Sequence, residues 1–285
     1  FIFLHVRRQD FDLPKKLFVN RFSDAFNLDV LCKMTGEAIK KPGSINTMTA
    51  SFNTSKAETK NQQEKDGALS IDFSKDAIGS FPAGWLGMKN ISVQDYSNSK
   101  WLALSKAGYW YPRQFNKTIE NGFTLSFNLQ WNKDISYYNG LFAVTLAEME
   151  YDNIQQGFKT AGDESNYFSF YDSYAGEFNR IVLRFDPHFN SGGQLQVTAT
   201  DKRGVAVFDK KVLLPEFFTA NNKHHIQISR EKNNLIVTDN GKIAARFENV
   251  FTNSIRYNFY VFSRYRANNE STTDMYYLNS VQVKY

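Results

Sequence analysis

From Ala68 to the C-terminus the chain alternates apolar and polar residues with a period of two. Phe123, Leu125, Phe127, Leu129 and Trp131 alternate with Thr124, Ser126, Asn128 and Gln130. Ile181, Leu183 and Phe185 do so with Arg180, Arg184 and Asp186, Leu195 and Val197 with Gln196 and Thr198, and Ile226 and Ile228 with Gln227 and Ser229. Tyr257, Phe259 and Val261 alternate with Arg256, Asn258 and Tyr260. Successive side chains of a strand point to opposite faces, so each run predicts a strand with one face in a core and one polar face. Phe127 and Phe259 are expected in the core on central strands.

The turns agree. Asp239-Asn240-Gly241 separates Leu235-Ile236-Val237 from Ile243-Ala244-Ala245. Asn-Gly supplies the two positive φ angles of a type I′ hairpin turn. Ser191-Gly192-Gly193 and Asp201-Lys202-Arg203-Gly204 punctuate other pairs. No helix-length periodic segment interrupts the strands, which excludes a parallel βαβ architecture. More than ten strands at this spacing predict two antiparallel sheets packed as a sandwich larger than an immunoglobulin domain.

The first 67 residues differ. Leu17, Phe18, Phe22, Ala25, Phe26 and Val30 recur at helical spacing over residues 12–41, with Asp12 as N-cap, Pro14 in the first turn and Pro42-Gly43 as the stop. Residues 44–67 are rich in Ser, Thr, Asn, Gln, Lys and Glu without apolar period, a linker composition. The expected division is a helical segment over 1–43, a polar linker over 44–67 and an all-β domain over 68–285. The apolar stretch Phe1–Val6 is short and is followed by Arg7-Arg8, so it does not read as a signal peptide.

Charge and composition narrow the function classes. Residues 68–285 carry 23 Lys/Arg against 21 Asp/Glu, too even a balance for the basic footprint of a nucleic-acid binder. No apolar run approaches the ~20 residues of a membrane-spanning helix. The single cysteine, Cys32, excludes an intrachain disulfide. Nothing in the sequence sets an oligomeric state or a cofactor.

Two segments carry a resemblance. Ile71-Asp72-Phe73-Ser74, Gly79-Ser80-Phe81-Pro82-Ala83-Gly84-Trp85 and Lys100-Trp101-Leu102-Ala103-Leu104 resemble the opening of exported bacterial domains of the concanavalin A-like lectin and glucanase superfamily. Tyr276-Tyr277-Leu278-Asn279-Ser280-Val281-Gln282-Val283 resembles their closing strand, which returns beside the first. The resemblance covers residues 68–285. It implies a jelly roll in an exported, periplasmic or envelope-associated protein. It leaves the activity open among lectins, glycoside hydrolases, polysaccharide lyases and inert modules.

Glu148-Met149-Glu150-Tyr151-Asp152 sets three acids in alternation. Retaining glucanases of that superfamily carry Glu-x-Asp-x-(x)-Glu on one strand, so that two carboxylates flank the glycosidic bond. Here Glu and Asp are exchanged. The acids also continue the face of Phe142, Val144 and Leu146, which points inward. The expectation is a loop leaving the sheet, with Glu148 and Glu150 a catalytic pair only under the alternative of a hydrolase or lyase. Adjacent His224 and His225 point to opposite faces and cannot chelate together. No Cys/His cluster has metal-ligand spacing, and no Gly-x-Ser-x-Gly elbow, Walker or Rossmann fingerprint occurs. Four Asn-x-Ser/Thr sequons, at Asn53, Asn90, Asn116 and Asn269, are what chance gives in an Asn-rich chain.

Aromatic rings beside polar groups remain, the pairing that stacks on a sugar and holds its hydroxyls. Trp110 between Tyr109 and Tyr111, Tyr138 at an Asn-Gly turn, and Tyr260 with Arg256, Asn258 and Arg264 on one strand parity are the candidate ligand residues. The reading is a non-catalytic binding or structural sandwich with a glycan as ligand. A protein-interaction module docking through residues 12–41 is the third alternative.

Overall fold

The computed structural model of the chain describes residues 68–114, 117–131, 140–148, 178–187, 192–218, 223–265 and 275–285. The helix expected over 12–41, the linker, Tyr138 and Glu150 lie outside the described residues. Fifteen strands form within them. They are β1 (Ala68–Ile71), β2 (Trp85–Gly87), β3 (Ile91–Tyr96), β4 (Ser99–Leu104), β5 (Gly108–Pro112), β6 (Thr124–Trp131), β7 (Leu141–Ala147) and β8 (Arg180–Asp186). The others are β9 (Gln194–Thr200), β10 (Ala206–Leu213), β11 (His224–Glu231), β12 (Asn234–Asp239), β13 (Lys242–Phe247), β14 (Phe259–Tyr265) and β15 (Tyr276–Lys284).

The strands divide into two wholly antiparallel sheets. One runs β13-β12-β11-β6-β15-β4-β3, with β1 added to β15; the other runs β10-β9-β8-β7-β14-β5-β2. The closing strand does return beside the first: Ile71 to Ala68 pair with Val281 to Lys284, while Tyr276 to Leu278 pair with β4. A bulge between Asn279 and Gln282, with Ser280 at φ 52°, lets one strand serve both neighbours. At the β12–β13 hairpin Asn240 and Gly241 take φ of 49° and 79°, the two positive angles expected of the Asn-Gly turn.

The core lies between the sheets. Leu125, Phe127, Leu129 and Trp131 of β6 meet Phe142, Val144 and Leu146 of β7, Ile181, Leu183 and Phe185 of β8, and Tyr260 and Phe262 of β14. Phe127 packs edge-on to Phe262 at 5.5 Å between centroids. Each such fully buried side chain contributes roughly 1.5–3 kcal/mol through removal from water.

In β14 the face assignment differs from the sequence expectation. Tyr260 and Phe262 point into the core, whereas Phe259 and Val261 point to the opposite side. There they join Tyr109, Tyr111, Ala147, Phe178 and Met88 in a second buried cluster, with Tyr111 4.3 Å from Phe259. The seven-stranded sheet is therefore buried on both faces around β14 and β7. A strand apolar on both faces carries no period that identifies the inner one.

Candidate functional site

A cleft of about 550 Å³ opens at one end of the sandwich. Its walls come from three places in the chain: residues 118–121 ahead of β6, the end of β11 with the β11–β12 turn, and residues 253–256 ahead of β14. Antiparallel pairing of β6 with β11 brings the first two together, and the sandwich brings the third across from the other sheet.

One buried cation fastens these walls. Arg230, on the inward face of β11, donates from Nη1 to the Ile119 carbonyl at 2.8 Å and from Nε to the Lys232 carbonyl at 2.9 Å. Its guanidinium also lies 4.8 Å over the Phe251 ring. Main-chain bonds complete the frame: Ile119 N to Tyr257 O at 2.6 Å, Gly122 N to Arg230 O at 3.0 Å and Phe251 N to Asn233 O at 3.0 Å. Lys232 stands at φ 57° in the tight turn, and its N–H donates to the Asn121 carboxamide oxygen at 2.7 Å. Arg230, the Asn121 carboxamide oxygen and these main-chain bonds hold the rim, and the other polar side chains around the opening face the cleft.

Those side chains are carboxamides and charges. Asn121, Asn233 and Asn253 line the cleft with Glu120, Lys232 and Arg256, and Ile255 gives an apolar flank. A carboxamide both donates and accepts, as does a sugar hydroxyl. The volume falls in the ~300–1,000 Å³ range of small-ligand sites.

Arg256 joins the cleft to Glu148. Its backbone N–H donates to Glu148 Oε1 at 3.4 Å, while Asn179 Nδ2 donates to Oε2 at 2.6 Å and Lys202 Nζ lies 3.3 Å away. Burial pushes the Glu148 carboxyl up, but the bonds from Asn179, the Arg256 backbone and Lys202 together hold it below the ordinary glutamate range. Glu148 follows the last residue of β7 and binds back through its own N–H to the Asn179 carbonyl, which is the loop-end position expected for it. Burial first, then the nearby Glu148 charge, pushes the Tyr257 hydroxyl far above its usual range, with Arg230 opposing.

The structure separates the other expected ligand residues. Trp110 is buried between the sheets and donates from its indole to the Met88 carbonyl at 2.9 Å. Tyr260 is fully buried; its hydroxyl donates to the Lys117 carbonyl at 2.9 Å. Arg264 is also fully buried, donating to the Leu104 carbonyl and stacking on Tyr276. Asn258 precedes the strand, half-buried, with its N–H on the Ala147 carbonyl. Tyr260, Asn258, Arg256 and Arg264 therefore do not share one polar strand face. Arg256 and Asn258 stand in the loop before β14, and Tyr260 and Arg264 turn inward. Of the group, Arg256 reaches the cleft.

Sequence reasoning missed Asn121, Asn233 and Asn253. Each sits in a turn or loop where Asn is commonplace, so its type carried no signal of a site. His224 and His225 do face opposite ways: His224 bonds Asp239 at 2.7 Å on the inner face and His225 bonds Asn128 at 2.9 Å on the outer. Among the described residues no group of three His, Cys, Asp or Glu is placed to hold a metal ion, and no helix is long and apolar enough to cross a membrane.

No protein-family model matches the chain, and no characterised protein matches it by sequence. Solved structures match by shape. The carbohydrate recognition domain of Emp47p aligns at a TM-score of 0.51 and 13% identity, over 78% of this chain and 96% of that domain. The metal-free carbohydrate recognition domain of Emp46p aligns at 0.49 and 9%, over 75% and 94%. A beta-glucanase of Bacillus licheniformis aligns at 0.46 and 14%, over 78% and 100%. At identities this low the likeness is one of architecture.

Proposed function

With the chain established as a concanavalin A-like jelly roll, we propose that it is a non-catalytic binding module whose ligand is a glycan held in the end cleft. The observation that carries this reading is the cleft itself: three carboxamides, two cations and a carboxylate around one opening, on a frame riveted by Arg230. Carboxamide and charged groups on a rigid rim suit an array of hydroxyls, and Ile255 offers a surface for the C–H face of a ring. A module of this fold also has a precedent in Emp47p, whose domain is by name a carbohydrate recognition domain.

Catalysis is the second reading, and Glu148 is unsuited to the role of the acid in it. A glycosidase acid must hold a proton near neutral pH, which requires a raised pKa. Glu148 is instead held low by three donors. In this reading it positions the Arg256 loop. An envelope-associated or exported protein fits the proposal, since glycan-rich surfaces are where such a module acts; fractionation of the source cells checks that.

The test is a glycan array with the full chain, followed by calorimetry on the best ligand. Arg256→Ala and Asn253→Ala should each weaken binding about tenfold or more, the cost of removing one or two hydrogen bonds from a ligand. A glycan bound equally well by both variants sinks the cleft assignment. Release of sugar fragments that Glu148→Gln abolishes at unchanged stability would replace binding by hydrolysis.

A further inference from the structure

Among the described residues β10 is the terminal strand of the seven-stranded sheet, paired to β9 on one side. A terminal strand presents a row of unpaired N–H and C=O groups, and folded proteins usually cover it, shorten it or line it with charge. This one is eight residues long and exposed along most of its length. Val207 and Leu213 expose 62% and 60% of their surface, and Val205 just before the strand exposes 51%. The edge strand of the other sheet, β13, comes close by: Phe208 meets Phe247 at 6.1 Å, and Ile243 exposes 64%. Four of the five large exposed apolar side chains among the described residues thus lie on or beside these two edges.

The sequence of β10, Ala-Val-Phe-Asp-Lys-Lys-Val-Leu, is complementary to itself read backwards about Lys210. In an antiparallel pair of two copies centred there, Asp209 faces the partner's Lys211 and Phe208 faces the partner's Val212, while Val207 sits at the bulge between Ala206 and Phe208 and Leu213 flanks the pair. Every match joins opposite charges or two apolar groups, the cross-strand combinations that stabilise sheets. Lys210 alone meets its own kind at the axis. Its ammonium is drawn aside, lying 5.4 Å over the Phe208 ring on the same face. Asp209 is moreover fixed in place on the outer face by Gln196 at 2.8 Å and Thr198 at 3.4 Å.

We propose that β10 is a self-association edge, through which a second copy of this chain pairs antiparallel about a two-fold axis at Lys210 and continues the seven-stranded sheet. Such an interface uses one patch on both copies and closes as a dimer. One strand pair with flanking apolar contacts buries little area, so the dimer is weak, with Kd on the order of micromolar. Paired modules would also present two clefts to one polymer, raising the avidity for a repeating ligand. The dimer itself does not depend on what the cleft binds.

Sedimentation equilibrium on the full chain tests this by charge swap. Asp209→Lys and Lys211→Asp each set like charges opposite one another twice in the dimer and should raise Kd about tenfold or more. The double variant, Asp209→Lys with Lys211→Asp, restores opposite pairs and should return Kd to near the wild-type value. Asp209 also braces β9, so the melting temperature of each variant is measured alongside. Leu213→Ser, at an exposed position, should weaken the dimer without touching the fold. A chain that stays monomeric at ~100 μM, a dimer indifferent to all four variants, or single swaps that weaken it without recovery in the double variant would each overturn the proposal.

Discussion

Arg230 is the point where fold and cleft depend on one side chain, and replacing it by Met tests both. Met fills most of the volume and removes every donor. The Ile119 carbonyl is then left buried without its charged partner, which costs about 1.5–3 kcal/mol, and the less buried Lys232 carbonyl loses its bond for about 0.5–1.5 kcal/mol. Loss of the cation over Phe251 adds about 0.5–1 kcal/mol. The sum is about 2.5–5.5 kcal/mol of stability, read as a shift of the urea midpoint at unchanged slope. The same bonds hold residues 119–121 against the β11–β12 turn, so the glycan affinity of the folded fraction should fall as well. Arg230→Lys is the control. Its compact ammonium keeps the charge but cannot span two carbonyls as the guanidinium fork does, so it should recover part of the stability and little of the affinity. A Met variant that loses under ~1 kcal/mol would show that these bonds exchange freely with water and that the rim is not fastened by Arg230.

Other consequences are as direct. Phe127→Ala removes a fully buried ring packed against Phe142 and Phe262 and should cost about 3–5 kcal/mol in a denaturant titration; a loss under ~1 kcal/mol would contradict its place in the core. Gly192 takes φ +72°, and a Cβ there would stand 1.6 Å from the Pro215 carbonyl oxygen, so Gly192→Ala should lower the melting temperature severely or abolish soluble expression; a wild-type melt refutes that contact. Glu148 has a lower carboxyl pKa folded than unfolded, so its contribution is present above the ordinary value of 4.5 and is lost as pH falls through the depressed folded value. The stability gap between wild type and Glu148→Gln should therefore narrow on acidification below about pH 4.5; a gap constant down to pH ~2 would show that the charge is not what Asn179 and Lys202 hold.

The sheets were legible because most strands bury one face. In β6, β8, β9 and β11 the odd or even apolar set named the inner face, and the structure puts those residues between the sheets. The Asn-Gly hairpin was legible because its backbone angles admit few residues. β14 was not, because Phe259 and Val261 are buried as deeply as Tyr260 and Phe262, and a strand covered on both sides loses its period. The misplaced face carried an error into the site: Tyr260 and Arg264 look like a recognition pair in sequence, yet Arg264 is fully buried, bonded to the Leu104 carbonyl and lying over the Tyr276 ring. Arg256 was named for the wrong strand face and reached the cleft through the loop. The asparagines of the cleft gave no signal, since the residue type that binds hydroxyls is the type that makes turns.

The position of Glu148 bears on the proposal that this jelly roll is a binder. The strand that precedes it, β7, is apolar on its inward face through Leu146, so a carboxylate continuing that face must find partners or leave the sheet. It does both, stepping off β7 and collecting an amide, an ammonium and a main-chain N–H from three other segments. A group so surrounded is stabilised as an anion, and stabilising the anion is the opposite of storing a proton for a leaving group. The same contacts bring the Asn179 and Lys202 segments to the loop that carries Arg256. A carboxylate in this position shapes the cleft wall through the Arg256 loop, and its donors suit it to the ionised role of a carboxylate pair and not to the role of the acid.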